Sequence, residues 1–195
     1  MNRYALTEPA QQAMIHGRQR ALIRLLRREG VLPLGGKRIL EVGCGSGRVL
    51  LELLSLDADF RQLAGVDRKV GSLAAARRRL PGIRVAAGDA ACLPFAVGTF
   101  DLVVAFTLFT SLRGTVHEAA AELLRVTSPN GAILWYDYWP GGLTPQQTFS
   151  GCRIAARRVT LAPPLVRLLA GAALVAPVEA LRILNTHTLA VIRHA

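Results

Sequence analysis

The feature that most constrains this chain is an alternation of period. Short apolar runs recur over roughly the first two thirds of the sequence, and between most of them the apolar spacing changes to one near 3.6 residues. Lys37 to Val42, "QLAGVD" (62–67), "IRVAAGD" (83–89), "FDLVVAFT" (100–107) and "AILWYDYW" (132–139) read as strands. Pro9 to Glu29, Ser46 to Leu56, Ser72 to Leu80 and Thr115 to Val126 read as helices with apolar residues at helical spacing. Residues 90–99, with Pro94 and Gly98, read as a loop. A strand, a crossover helix and a second strand pack as a right-handed βαβ unit. The repeated alternation therefore predicts a doubly wound, mostly parallel α/β sheet with helices on both faces. "FDLVVAFT" is nearly apolar throughout, which suits a strand covered on both sides.

Beyond Trp139 the alternation stops. "SPNG" (128–131), just before the fifth strand, is a turn by composition, and Pro140 to Gly151 predicts a loop with at most one helical turn. "CRIAARRVTLA" (152–162) reads as a sixth strand. Pro163-Pro164 opens a helix through Leu184, interrupted near Pro177, and "THTLAVIRH" (186–194) reads as a seventh strand. Its alternating character predicts that the sheet ends in an antiparallel strand. The 195 residues suit one domain: an N-terminal helix and loop (1–36), a central core (37–139) and a C-terminal part (140–195).

Composition narrows the function. With 51% hydrophobic and 19% charged residues the chain is globular, not disordered. Met1 to Glu29 is broken by Arg3, Glu8, Arg18, Arg20, Arg24, Arg27 and Arg28, so no secretory leader is expected. Leu168 to Val178 is apolar for only eleven residues, where a bilayer span needs roughly 20, and it reads as a buried or interfacial helix. Cys44, Cys92 and Cys152 are odd in number and lack metal spacing, which points to a reduced cytoplasmic setting and no metal centre. The net charge of +11 invites a nucleic-acid partner. However, the cations are nearly all Arg and are spread along the chain, so a solvated basic surface is the plainer reading. An anionic lipid or sugar phosphate fits the charge equally well.

"ILEVGCGSGRVLLELL" (39–54) places Gly43, Gly45 and Gly47 at the end of the first strand. In an open α/β sheet, ligands sit beyond the carboxyl ends of the strands, and glycines there let a ligand approach the backbone. The spacing is neither that of a dinucleotide fold nor that of a phosphate loop. The plain alternative is a tight strand-to-helix turn. Asp67 ends the second strand twenty residues after Gly47, where a carboxylate accepts two hydrogen bonds from a ribose diol; capping the next helix is its alternative. Asp89 ends the third strand, where it suits an adenine amino group or an Asx turn. Glu41 lies within the first strand, where an unpaired carboxylate is costly to bury, and anchoring the backbone is its alternative role.

"LEVGCGSG", "GVD", "GDAACLPF", "FDLVVAFTLF" and "LLRVTSPNGAILWYDY" together resemble the class I S-adenosylmethionine-dependent methyltransferases over roughly residues 37 to 139. The arginine-rich first helix and the C-terminal part look like a bacterial subgroup of small methyltransferases (type 11-like) associated with polysaccharide and lipid biosynthesis. The resemblance implies a Rossmann-like fold with S-adenosylmethionine as cofactor and S-adenosylhomocysteine as product. The loop of Gly43, Cys44, Gly45 and Gly47 would hold the methionine moiety, with Glu41 fixing it. Asp67 and Arg68 would bind the ribose side, Asp89 and the Ala90 amide the adenine. Phe106 and Thr107 would lie near the sulfonium, and Arg18 is a candidate partner for the methionine carboxylate, with a solvated helix charge as its alternative. "SPNG" departs from the family's usual Lys-Pro-Gly-Gly-like turn. The stretch after Trp139 is too short for the usual helix, which shortens one wall of the acceptor pocket.

Displacement of a methyl group from a sulfonium depends on alignment more than on acid–base chemistry. No amino-methylation signature follows the fourth strand, and no cysteine pair suggests attack on a base. Acceptor-side candidates are His16, His117, Tyr136, Asp137, Tyr138 and Trp139. Alternation sends half of the aromatic group into the core, Asp137 reads as a satisfied strand-end carboxylate and His117 as a surface residue. No base is assigned. The expectation is a cytoplasmic methyltransferase acting on a small-molecule, sugar or lipid-linked acceptor. An RNA methyltransferase, favoured by charge, and a non-catalytic cofactor-binding partner subunit are the alternatives.

Overall fold

The structure is a computed structural model, described for residues 9–112, 114–138, 143–161 and 185–195. Within the described residues the expected strands and helices are present: α1 (Pro9–Arg28), β1 (Ile39–Val42), α2 (Arg48–Leu54), β2 (Leu63–Asp67), α3 (Val70–Arg79), β3 (Arg84–Ala87), β4 (Phe100–Phe106), α4 (Val116–Val126), β5 (Thr127–Tyr138), α5 (Pro145–Thr148), β6 (Arg153–Leu161) and β7 (Asn185–Arg193). They form one seven-stranded sheet in the order β3-β2-β1-β4-β5-β7-β6. The pairs from β3 to β5 are parallel, and β7 runs antiparallel to both β5 and β6. The chain moves from β1 outward to β3 and then returns to lay β4 on the other side of β1. Strand order thus reverses between β1 and β4, and the crevice beyond their carboxyl ends is where such a sheet binds ligands.

Two apolar layers sandwich the sheet. Leu22, Leu25 and Leu26 of α1, Leu50 and Leu53 of α2 and Leu73 of α3 cover one face. Phe109 and the Ala119, Ala120, Leu123 and Val126 stripe of α4 cover the other. Each fully buried Leu contributes about 1.5–3 kcal/mol relative to exposure, so the helical spacing seen in the sequence decides which side each helix takes. All four residues of β1 are buried, as the central strand of such a sandwich requires.

Helix ends follow local chemistry. Gly30, at φ 64°, closes α1: the Gly30 N–H donates to Arg27 O at 3.2 Å and the Val31 N–H to Leu26 O at 2.8 Å, the two bonds of a Schellman motif. In α5 the Thr144 hydroxyl accepts from the Gln147 N–H at 3.3 Å, with Pro145 at the first helical position. The four residues of α5 are the single helical turn expected between the fifth and sixth strands.

The reading of "SPNG" needs correction. Residues 128–131 lie within β5, not before it. Phe100 pairs with Thr127 and Leu102 with Ala132, so these four residues bulge opposite Asp101. Turn chemistry interrupts the ladder there without ending the strand. The expected helix over 163–184, the apolar stretch 168–178 within it, and Trp139 lie outside the described residues. Among the described residues no helix is long and apolar enough to cross a membrane.

Candidate functional site

The loop after β1 is built on three left-handed glycines, Gly43 (φ 77°), Gly45 (φ 50°) and Gly47 (φ 74°), a conformation that side chains resist. Space separates their roles. A β-carbon on Gly43 would stand 3.0 Å from Leu108 Cδ1 and one on Gly47 3.3 Å from Ala76 Cβ, whereas one on Gly45 would meet nothing within 4 Å. Gly43 and Gly47 are therefore packing positions as well, while Gly45 presents bare backbone to open space. The loop is tied to β2: the Gly43 and Cys44 N–H groups donate to Val66 O at 2.7 and 3.0 Å. Cys44 turns inward, and burial, reinforced by the charges of Glu41 and Asp67, pushes its thiol up to about 12, far from a reactive thiolate.

Gly43, Gly45, Asp67, Arg68, Ala90, Phe106 and Thr107 line one cavity of about 490 Å³ at the ends of β1, β2 and β4. Seven of the residues read from the sequence are thus brought together. Asp67 accepts from the Gly45 N–H at 2.8 Å through Oδ2 and from the Lys69 N–H at 2.8 Å through Oδ1. It ties the glycine loop to the start of the second crossover without capping α3, whose N-terminus has no side-chain cap. A carboxylate has about four acceptor positions, so each oxygen keeps one for a ligand. Asp89 is exposed and takes the Ala91 N–H at 2.9 Å in an Asx turn; its neighbours Gly88 and Ala90 line the cavity. Thr107 stands at φ 51°, rare for a β-branched residue, and is held there by its N–H donating to Tyr136 O at 2.6 Å.

Beneath the loop lie Glu41, Glu52 and Arg18. Glu41 is 2% exposed. Burial raises its pKa well above the ordinary carboxyl value; the Leu50 backbone N–H opposes the rise and the charges of Asp67 and Glu52 add to it. Its Oε2 has no hydrogen-bond partner among the described residues. Glu41 therefore joins β1 to the first turn of α2 as a buried carboxyl whose charged form is disfavoured. Arg18 corrects the picture of a solvated helix charge: its guanidinium pairs with Glu52 and lies 5.4 and 5.5 Å from the ring centroids of Phe106 and Tyr136.

A second cavity, of about 820 Å³, opens between α1, α2 and the β5–β7 part of the sheet, and Arg18, Thr107, Tyr136, Thr160 and His187 are on its wall. Alternation along β5 sends Trp135 into the α4 side and Tyr136 into the α1 side. Tyr138 is 43% exposed and meets His187 edge-on at 5.5 Å. His187 stacks on Tyr136 at 4.8 Å with its rings 5° apart. Burial lowers its pKa, with Asp137 opposing, so the imidazole is neutral near pH 7. His16 and His117 are exposed. Reading the sequence passed over His187, because its neighbour Tyr136 lies on a strand about fifty residues earlier and only the β5–β7 pairing unites them.

Residues 39–131 match a family model described as a methyltransferase domain. The matched segment, just under half of the chain, is thus similar to methyltransferase domains, in keeping with the class I S-adenosylmethionine-dependent resemblance of its motifs. It is 36% identical over 116 residues to a demethylmenaquinone methyltransferase of Beutenbergia cavernae, covering 57% of this chain and 46% of that one. It is 35% identical over 132 residues to a phthiotriol/phenolphthiotriol dimycocerosates methyltransferase of Mycobacterium tuberculosis, covering 62% and 45%. It is also similar to the S-adenosylmethionine-bound structure of an amino pentose methyltransferase from Micromonospora echinaspora (TM-score 0.52, 29% identity, 76% of this chain and 62% of that chain). The chain spans less than half the length of these two curated relatives. The family's cofactor is S-adenosylmethionine, and the cavity suits it chemically: bare backbone at Gly45, a carboxylate at Asp67 and an aromatic wall at Phe106 face one space.

Proposed function

We propose that this chain is an active methyltransferase that passes the methyl group of S-adenosylmethionine to a small-molecule, sugar or lipid-linked acceptor. The observation that carries the reading is the single cavity in which Gly43, Gly45, Asp67, Ala90, Phe106 and Thr107 converge at the switch point of the sheet. In it, Gly43, Gly45 and Gly47 give the amino-acid end of the cofactor access to backbone, with Cys44 and Glu41 as support from beneath. Asp67 takes the ribose hydroxyls beside Arg68, and the Ala90 amide, set by the Asp89 turn, meets the adenine edge. Phe106 and Thr107 border the reacting end. Arg18, which lines the neighbouring cavity and pairs with Glu52, is the candidate cation for the cofactor carboxylate. S-Adenosylmethionine supplies an activated methyl on a cationic sulfur; the protein's part is to hold the acceptor in line with it and to exclude water. Acceptor-side contacts fall to Tyr136 and Tyr138, with Trp139 beside them in sequence.

The acceptor class rests on the charge of the chain and on the relatives' names, which carry a demethylmenaquinone, a phthiotriol dimycocerosate and an amino pentose. Cys44, Cys92 and Cys152 are free thiols, as a reducing cytoplasm would keep them. Calorimetry with S-adenosylhomocysteine tests the donor site: Asp67→Ala weakens binding by at least about tenfold while circular dichroism stays unchanged. Unaltered affinity would remove Asp67 from the site. Labelled S-adenosylmethionine offered with RNA, lipid extract and sugar-nucleotide pools tests the acceptor. Label in the lipid or sugar pool is the expected result, label in RNA overturns the acceptor class, and binding without transfer favours a non-catalytic partner subunit.

A further inference from the structure

The second cavity has walls of two chemistries. Met14, Ile15 and Val49 contribute apolar surface to its lining, together with Leu51, a large apolar residue left 45% exposed. Arg18, Arg48 and Arg79 contribute cations, and Glu52 is the one carboxylate among the described lining residues. Glu52 is already engaged by Arg18. Arg48 and Arg79 thus face the space with no carboxylate partner among the described residues. Arg79 is oriented all the same, because its guanidinium donates to the Ser46 carbonyl of the glycine loop. A guanidinium carries five N–H donors in a fork that matches a phosphate or carboxylate, so anchoring one edge aims the rest.

The cavity borders the donor site. Thr107 lines both spaces, so a molecule lying along the apolar wall can bring one of its groups to the shared border. We propose that this cavity is the acceptor site and that it takes an amphiphile: an apolar body against Met14, Ile15 and Leu51, and an anionic phosphate or carboxylate end on Arg48 and Arg79. The proposal rests on the reading of the first cavity as the donor site. A neutral acceptor would leave the guanidiniums of Arg48 and Arg79, which line the same cavity, without an anion. A polynucleotide would match the cations but not the apolar wall, where burying uncharged surface is what contributes affinity.

Decyl phosphate is the probe, with inorganic phosphate and decyl maltoside as the anion-only and chain-only controls, titrated calorimetrically into the full chain saturated with S-adenosylhomocysteine. Decyl phosphate binds at least about tenfold more tightly than either control, since both halves of the site are used. Arg48→Glu weakens decyl phosphate by about tenfold or more, and Leu51→Ser weakens it while leaving inorganic phosphate unchanged. Arg27→Glu makes the same charge change on an exposed residue outside the cavity and leaves decyl phosphate binding intact, which separates the site from general attraction to a basic protein. Equal loss in Arg27→Glu and Arg48→Glu, or equal binding of decyl phosphate and inorganic phosphate, overturns the proposal, as does a single-stranded RNA oligomer that displaces decyl phosphate and is itself lost in Arg48→Glu. Folding of each variant is checked by its retained affinity for S-adenosylhomocysteine. If the unaltered chain does not bind S-adenosylhomocysteine, the donor-site reading fails first. If it binds that ligand but not decyl phosphate, the amphiphile site alone fails.

Discussion

Asp137 is 1% exposed and ionisable, yet it is one of the best-served groups in the molecule. Its two oxygens accept from the Phe109 N–H at 2.8 Å, the Thr110 N–H at 3.2 Å, the Thr110 hydroxyl at 2.6 Å and the Tyr138 N–H at 2.8 Å. It therefore pins the turn after β4, from which Leu108 and Ser111 face the cofactor cavity. Asp137→Ala leaves buried N–H donors without an acceptor and is expected to cost about 2–4 kcal/mol, read from urea unfolding. Glu41 is the opposite case, a carboxyl whose charged form the fold rejects. Its folded-state pKa lies well above the ordinary 4.5, so the unfolded chain releases this proton at lower pH than the folded one does. Its contribution to stability is complete below that value and is lost as pH rises toward the folded one. Glu41→Gln has no proton to lose. The melting temperature of the native chain should therefore fall relative to Glu41→Gln as pH is raised from about 5 to about 8.

The glycine loop shows how an element depends on its neighbour. Gly65 lies in β2 beneath it, and a β-carbon there would stand 2.8 Å from Cys44 Sγ, 2.9 Å from Cys44 Cβ and 3.2 Å from Leu50 Cδ1. Gly65→Ala is expected to cost about 1–3 kcal/mol in unfolding free energy by overpacking. Because Cys44 sits between Gly43 and Gly45, the same substitution should also weaken S-adenosylhomocysteine binding in calorimetry. The three loop glycines were plain in the sequence, since local spacing and a following helix mark them. The need for Gly65 was not, because its conflict is with a residue twenty-one positions earlier, across a strand pair. "SPNG" carries the same lesson: composition announces a change of direction, while only the partner strand determines that the change is a bulge inside β5. Arg18 was legible as a cation on an amphipathic helix, but its partner Glu52 becomes visible only once α1 and α2 lie on the same face of the sheet.

For the whole molecule, the alternation of periods sufficed for the layers and the parallel half of the sheet, since each crossover helix limits where its strands can go. The donor cavity followed, because its residues stand at strand ends in chain order. The second cavity was less legible: it gathers Met14, Arg48, Tyr136 and His187 from distant parts of the chain, and no local pattern joins them. The ends are knit directly as well, with Arg193 of β7 donating to Glu29 O at 2.8 Å just past α1. The order of the last three strands has a consequence for biosynthesis. β6 is made before β7 but hydrogen-bonds to the sheet only through it. On a ribosome releasing the chain from its amino end, β3-β2-β1-β4-β5 can already be paired while β6 has emerged and waits. The half of the sheet that carries the glycine loop can therefore be paired early, and the half that borders the second cavity is complete only once β7 lies between two strands made before it.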